Sequence, residues 1–184
     1  MRPARTLDEL RMQFEQISEQ ATALIRPLET AMLVRRPKPD SWSVAECIAH
    51  LNLSADAFFP EWERVITAAP PRDAGKPFKL DLWGRLLIWS IEPPPHFRFP
   101  TQPGFVPVDT GAVEDLLPGF LRRQARILEF VKASEGKAIE KVKVVSPFNA
   151  NVRYTVWSSF CINASHERRH LWQAERAVQA TSLR

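Results

Sequence analysis

Glycine is scarce in this 184-residue chain, and its few positions are clustered. All six glycines lie between residues 75 and 136, so residues 1–74 and 137–184 contain none. Ten of the sixteen prolines fall between Pro70 and Pro118. Because glycine and proline interrupt helices more than other residues do, the two ends are predicted to be helical and the middle to be irregular.

Other absences exclude whole classes of protein. No apolar run approaches the roughly 20 residues that cross a membrane, and the first twenty residues lack the apolar core of a secretory signal. We therefore expect a cytoplasmic protein with no membrane partner. Two cysteines, Cys47 and Cys161, are too few for a disulfide scaffold and are expected to be reduced core residues. Glycine-rich phosphate loops and the G-x-S-x-G nucleophile motif are also missing, so neither chemistry is indicated.

The composition is that of an ordinary globular domain. Hydrophobic residues make up 45% of the chain and charged residues 25%, which argues against disorder, and this length leaves little room for two domains. We therefore expect a single domain over residues 1–184. The 25 Lys and Arg residues exceed the 21 Asp and Glu residues by four and are spread along the chain. A nucleic-acid-binding surface would need a denser cationic stripe, so no nucleic-acid partner is expected.

Hydrophobic periodicity and capping signals predict four long helices. Residues 6–9 and 43–46 both have the capping-box pattern, in which the first side chain accepts a hydrogen bond from the third amide of the helix. After the first box, apolar residues follow at alternating spacings of three and four, and Pro37 and Pro39 end that segment. Pro60 is expected to kink or break the second helix. The four helices are predicted at about 6–34, 43–69, 112–134 and 155–180.

The middle of the chain separates the second and third helices. Residues 79–91 form a short, Trp-rich apolar segment that is predicted to be helical, whereas residues 93–110 contain six prolines and are predicted to be an extended surface loop. Residues 138–148 favour one short strand or an extended arm. Four helices with one proline-rich excursion at about 70–111 predict an all-α fold, an antiparallel four-helix bundle.

Three of the four histidines lie in predicted helices. His166 and His170 are four residues apart, so they share one helix face, with Cβ atoms roughly 5–6 Å apart. Two imidazoles placed in this way can bind one metal ion at about 2.0–2.1 Å. His50 lies midway along the second helix, from which it can meet the pair in the core of a bundle. These three residues are the candidate metal ligands, whereas His96 lies in the proline-rich loop and is expected to be exposed.

The string HERRH at residues 166–170 also fits the H-E-x-x-H pattern of zinc proteases, in which the glutamate is the general base. The extended form of that motif needs a glycine and a third histidine where this chain has Gln173 and Arg176. The one acidic residue after the motif is Glu175, on the same predicted helix, so a protease site is disfavoured. Glu167 is then either a surface partner of an arginine, or a group beside the metal that orients a ligand or acts as a base.

Two segments resemble signatures of the DinB/YfiT-like superfamily. Residues 42–51, WSVAECIAHL, are similar to its helix-2 signature, in which a tryptophan precedes the helix and a histidine follows about two turns later. Residues 164–174, ASHERRHLWQA, resemble its last-helix H-x-x-x-H signature, so the resemblance covers nearly the whole chain. It implies a four-helix bundle with two long crossover connections and a site for one divalent metal ion, Zn, Ni, Fe or Mn. By position, His50, His166 and His170 would be its ligands.

The resemblance also implies a class of reaction. Activities known in this superfamily include the transfer of low-molecular-weight thiols, such as bacillithiol and mycothiol, to electrophiles. We therefore expect a metal-dependent thiol transferase, or a hydrolase, that acts on a small electrophilic molecule, with Glu167 as the candidate catalytic residue. Three neutral imidazoles leave coordination positions open, so the metal can lower the pKa of a bound thiol or water.

Two alternatives to an enzyme remain open. One is a non-catalytic metal- or ligand-binding module that acts as a homodimer. The other is a helical interaction module, also a homodimer, in which the histidine cluster is incidental. The apolar residues 82–91, with Trp83 and Trp89, would then be a dimer face or a lid over the pocket. Metal content separates the interaction module from the other two candidates, and turnover separates the enzyme from the binding module.

Overall fold

The computed structural model describes residues 2–73, 75–97 and 100–182. Capping residues determine where two of its long helices begin. Thr6 accepts a hydrogen bond from the amide of Glu9, and Ser43 and Glu46 form the complete capping box that the sequence predicts.

No helix within the described ranges is both long and apolar enough to cross a membrane. In chain order the elements are α1 (Leu7–Ile25), α2 (Thr30–Val34), α3 (Val44–Thr67), α4 (Leu82–Ile91), a 3₁₀ turn (Pro103–Phe105), α5 (Val113–Ala133), β1 (Lys143–Ser146), β2 (Asn149–Thr155) and α6 (Val156–Ser182).

The four longest of these helices, α1, α3, α5 and α6, pack around one apolar core. Helix α3 contacts both α5 and α6, and α1 contacts the same two helices, so the contacts form a closed ring. The structure confirms a mostly helical fold, whereas the four-helix bundle stays a prediction. The core includes the fully buried side chains of Phe14, Ile48, Phe58, Ile127 and Phe160.

Pro27 and Pro60 have different effects on their helices. Helix α1 ends at Ile25, and the short α2 follows after a break, where one helix was expected to continue to about residue 34. Pro27 explains the break, because proline has no amide hydrogen to donate and its ring collides with the preceding turn. Pro60, in contrast, lies inside α3, and that helix continues through it without a break.

A two-stranded hairpin interrupts the otherwise helical chain. Strand β1 pairs antiparallel with β2, and the buried residues Val144 and Tyr154 lie opposite one another. β1 falls within the extended segment predicted at residues 138–148, but β2 was not predicted, so the all-α class is corrected to a mostly helical fold with a small sheet. The sequence of β2 alternates polar and apolar residues, with Ala150, Val152 and Tyr154 on one face, so it carries a strand signal although most of the residues at its start are exposed.

Hydrogen bonds fix α4, the predicted Trp-rich helix, to the start of α6. Asp81 caps α4 by accepting from the amide of Gly84 at 2.8 Å, and its other carboxylate oxygen accepts from the amide of Thr155 at 2.6 Å. The two helices approach so closely that a Cβ atom on Gly84 would lie 2.5 Å from Ser158 Oγ. The close approach requires glycine, and it places the middle of the chain next to the helix that carries two of the candidate ligands.

Candidate metal centre

Helices α3 and α6 bring three histidines together. His50 lies on α3, and His166 and His170 lie on α6. One ring nitrogen of each histidine lies within 4.8 Å of one from each of the other two, which is close enough for all three to hold a single metal ion. Their ring centres are 4.4 to 5.0 Å apart. The fold therefore brings together the three residues that the sequence predicts as ligands.

The start of α3 fixes the position of His50 two turns later. Within the capping box, the Glu46 carboxylate accepts from the amide of Ser43 at 2.8 Å, and it also pairs with the guanidinium of Arg36. Burial acts to raise the pKa of Glu46, but the bonds from Arg36 and Ser43 outweigh it and leave the pKa below its usual range. The ionised carboxylate thus holds the segment before α3 against the first turn of the helix.

A distant loop holds His50 in one tautomer. Its Nδ1 lies 2.7 Å from the main-chain carbonyl oxygen of Phe105. Because a carbonyl oxygen can only accept, Nδ1 carries the proton and donates it, and Nε2 keeps a free lone pair. That Nε2 lies 3.1 Å from Nε2 of His166. Metal-binding histidines commonly donate their other N–H to a carbonyl in this way.

The environment keeps all three imidazoles neutral at neutral pH. Burial lowers the pKa of His50, with the hydrogen bond to Phe105 acting in the opposite direction. Burial also holds the pKa values of His166 and His170 well below the usual range, and the neighbouring imidazoles and Arg169 lower them further. Neutral imidazole is the form that binds metal ions.

The donor set fits a divalent metal ion. Three imidazole nitrogens suit Zn, Ni or Fe, and they leave coordination positions open, in contrast to structural zinc sites with four protein ligands. The Nδ1 atoms of His166 and His170 are buried, and neither has a hydrogen-bond partner among the described residues. Since buried polar atoms are normally paired, this pair of nitrogens points to a missing ligand or solvent.

Aromatic side chains surround the cluster. Trp42, the residue that precedes the α3 cap, packs against His50 and His170 with ring centres 5.0 and 5.7 Å apart. Phe148, in the turn of the hairpin, lies 5.5 Å from the ring of His166. His50 and His170 are buried, whereas His166 keeps partial exposure. Apolar rings thus wall the cluster, and His166 is the most exposed of the three histidines.

Glu167 lies in the interior of the protein. The residue is 1% exposed, and its Oε1 accepts hydrogen bonds from the side-chain amides of Gln124 at 2.9 Å and Asn163 at 3.1 Å. Burial raises its pKa to about 8, although the two amides act to lower it. The interpretation of Glu167 as a surface partner of an arginine is therefore wrong. Its role as a catalytic residue stays a prediction.

The two arginines between the histidines hold the proline-rich segment on α6. Arg168 pairs with the Glu92 carboxylate through two hydrogen bonds of 2.8 and 2.7 Å, and both side chains are largely buried. Arg169 donates to the main-chain carbonyl of Phe97 at 3.0 Å. Four of the five residues of the HERRH string therefore contact either the cluster or the segment around it, and the fifth, Glu167, faces the core.

Two residues that contact the site, Phe105 and Phe148, are not predicted from the sequence. Phe105 acts through its main-chain carbonyl, which every residue has, so no side-chain pattern points to it. Phe148 follows a strand whose partner strand was not predicted. The Pro-Gly pair at 103–104 marks a turn but not its contacts. His96 is exposed as predicted and stacks on Trp89 with ring centres 4.7 Å apart.

The chain matches the model of a known protein family. The family model for the DinB superfamily matches residues 13–174, a range that contains all three clustered histidines. No curated protein and no solved structure matches the chain.

Proposed function

The chain belongs to the DinB superfamily, and we propose that it binds one divalent metal ion through His50, His166 and His170. The observation that carries this proposal is the convergence of three ring nitrogens within 4.8 Å, although His50 and His166 are 116 residues apart in the chain. Three neutral imidazoles whose nitrogens converge in this way can each offer one lone pair to a single ion.

We also propose that α1, α3, α5 and α6 form an antiparallel four-helix bundle within a single domain. The closed ring of contacts among these helices supports this arrangement. Metal sites in such bundles are built from side chains on facing helices, as the histidines of α3 and α6 would be.

The location that we propose is the cytoplasm. Cys47 and Cys161 are both buried and unpaired, which suits the reducing conditions there.

The activity that we propose is the transfer of a low-molecular-weight thiol, or of water, to a small electrophilic molecule. A bound divalent metal ion supplies the acidity that makes a thiol or water nucleophilic at neutral pH. Trp42 and Phe148 wall the cluster with apolar surface and so limit competing water. Glu167 follows a candidate ligand directly in the chain, and its pKa of about 8 suits a group that holds or releases a proton near neutral pH.

Elemental analysis of protein purified without a His-tag tests the metal site. We expect near-stoichiometric Zn, Ni, Fe or Mn in the wild type and its loss from a His50→Ala variant. His96→Ala is the matched control, because it removes an exposed histidine outside the cluster and should leave the metal content unchanged. A wild-type protein that takes up none of these ions, even after incubation with each, would show that the site does not bind metal.

Turnover tests the catalytic part of the proposal separately. Metal-loaded protein is mixed with a low-molecular-weight thiol and an aryl halide, and the thioether product is followed by absorbance. We expect metal-dependent product formation in the wild type and in His96→Ala, but not in His50→Ala. Metal binding without turnover across a panel of thiols and electrophiles would favour the non-catalytic binding module.

A homodimer is the second candidate, because one face of α4 leaves large apolar side chains exposed to solvent, although Trp89 also stacks on His96. Helix α4 exposes Leu82, Trp83, Leu86 and Trp89 by 43% to 78%. Leu82, Leu86 and Trp89 are spaced four and three residues apart, so they share one face of the helix. Aromatic residues such as tryptophan are enriched in protein interfaces. We propose that a second copy of this chain packs against this face of α4. Light scattering should show a dimer that Leu86→Glu converts to a monomer, and a monomeric wild type would contradict it.

A further inference from the structure

Two segments outside the long helices meet beside the histidine cluster. The first is the 3₁₀ turn at Pro103–Phe105, and the second is the hairpin turn that contains Phe148. Each segment contacts one histidine. The carbonyl oxygen of Phe105 accepts from His50 at 2.7 Å, and the ring of Phe148 lies 5.5 Å from that of His166.

The two segments are also joined to each other. The side-chain amide of Gln102 donates a hydrogen bond to the carbonyl oxygen of Phe148. The rings of Phe105 and Phe148 pack with centres 4.7 Å apart, and Phe148 also packs against Phe58 of α3 at 5.9 Å. The turn before α5 is therefore held at a fixed place relative to α3, and the Phe105 carbonyl is held with it.

We propose that Gln102, Phe105 and Phe148 form a clamp that positions His50 for metal binding, an inference that rests on the proposed metal site. A neutral imidazole can carry its proton on either nitrogen, and only the tautomer protonated at Nδ1 leaves Nε2 free to bind a metal. The clamp selects this tautomer by holding a carbonyl oxygen at Nδ1. These three are positioning residues, because they act on the metal only through His50.

The other two histidines differ from His50 in this respect. The Nδ1 atoms of His166 and His170 have no hydrogen-bond partner in the described part of the chain, and the i, i+4 spacing on one helix already fixes their relative position. His50 faces them from another helix, and a carbonyl outside the helices sets its ring orientation. The clamp should therefore influence His50 more than either histidine of α6.

Zinc affinity and the His50 tautomer together test the clamp. The variants are Gln102→Ala, which removes an exposed donor, and Phe105→Ala, which removes the ring that packs on Phe148. Val108→Ala is the control, because Val108 lies in the same loop and is 97% exposed. Zinc affinity is measured by competition with a chelator, and the tautomer is measured from the ¹⁵N chemical shifts of the His50 ring in metal-free protein.

We expect wild-type His50 to carry its proton at Nδ1, and both clamp variants to populate the other tautomer and to bind zinc about tenfold or more weakly. Val108→Ala should match the wild type in both measurements. If Phe105→Ala fails to fold, as judged by circular dichroism, Gln102→Glu removes the same donor at nearly constant size and takes its place.

The outcomes separate the clamp from the metal site itself. Wild-type zinc affinity together with an unchanged tautomer in both clamp variants would overturn the clamp and leave the metal site intact. A wild type that binds no zinc would overturn the metal site, while the tautomer measurement would still report whether the clamp orients His50. A merely structural role of Gln102 would change thermal stability without changing the tautomer.

Discussion

The HERRH string of α6 and the proline-rich segment around it reach the same site by different means. The string supplies two histidine side chains whose spacing alone places them on one face. The proline-rich segment supplies no candidate ligand. It reaches the site through the Phe105 carbonyl on His50, and it is tied to α6 by the Glu92 carboxylate and the Phe97 carbonyl.

This difference shows that a helix and a loop position the groups of a site in different ways. A helix fixes the relative position of its side chains by its own geometry, so ligand identity follows from sequence spacing. A loop contributes mostly main-chain groups and ion pairs, whose positions depend on how the loop is anchored. We therefore expect substitutions in the HERRH string of α6 to change the chemistry of the protein interior. Substitutions in the middle segment should instead weaken the attachment of that segment to α6.

The largest effect is expected from Glu167→Gln, measured on metal-free protein. The pKa of Glu167 is about 8 in the folded protein and 4.5 when it is free. Between these values the folded state holds a proton that the unfolded state has released, so stability falls as the pH rises. The fall amounts to about 1.4 kcal/mol per pH unit across that window. Glutamine cannot titrate, so the variant should lose this dependence while its Oε1 still accepts from Gln124 and Asn163.

Urea unfolding of both proteins at several pH values between about 4.5 and 8 measures this prediction. The difference in unfolding free energy between wild type and variant isolates Glu167, since all other titrating groups are shared. The wild type should lose stability relative to the variant as the pH rises. Parallel profiles would mean that Glu167 ionises near its ordinary pKa, and would weaken its assignment as a proton-holding group in the interior.

The sequence predicts the helices of the middle segment and of α6, but not the contacts that join them, for physical reasons. Capping boxes, apolar spacing and the four-residue spacing of His166 and His170 are local signals, so the starts of α1 and α3 and the two histidines of α6 were predicted. Pro27 and Pro60 show the limit of local signals, because the same residue type ends one helix and lies inside another. Burial of Glu167 depends on Gln124 from α5, and the role of Phe105 depends on a contact 55 residues away, so neither can be read from spacing.

The next largest effect is expected from Gly84→Ala, which tests how closely α4 is attached to α6. The added Cβ would lie 2.5 Å from Ser158 Oγ and 2.7 Å from its Cβ, so α4 must move away from α6. We expect a loss of about 2–3 kcal/mol in the free energy of unfolding, at the upper part of the range for overpacking. Gly104→Ala is the matched control, because a Cβ there meets no atom within 4 Å. Equal losses in thermal unfolding of the two variants would contradict the close attachment of α4.

The smallest effect is expected from Glu92→Gln, which breaks the ion pair that ties the end of α4 to α6. The side chains of Arg168 and Glu92 are 10% and 14% exposed, so water screens their attraction only weakly. We expect a loss of about 1–2 kcal/mol, because Arg168 keeps its bond to Ser165 and glutamine still accepts one hydrogen bond. Glu129→Gln breaks a pair with Arg126 that is 63% exposed at the glutamate, and it should cost no more than about 0.5 kcal/mol. Equal losses in urea unfolding would mean that the Glu92 pair contributes no more than a surface pair, and the attachment of the middle segment would then depend on Gly84, the Asp81 cap and the bond from Arg169 to Phe97.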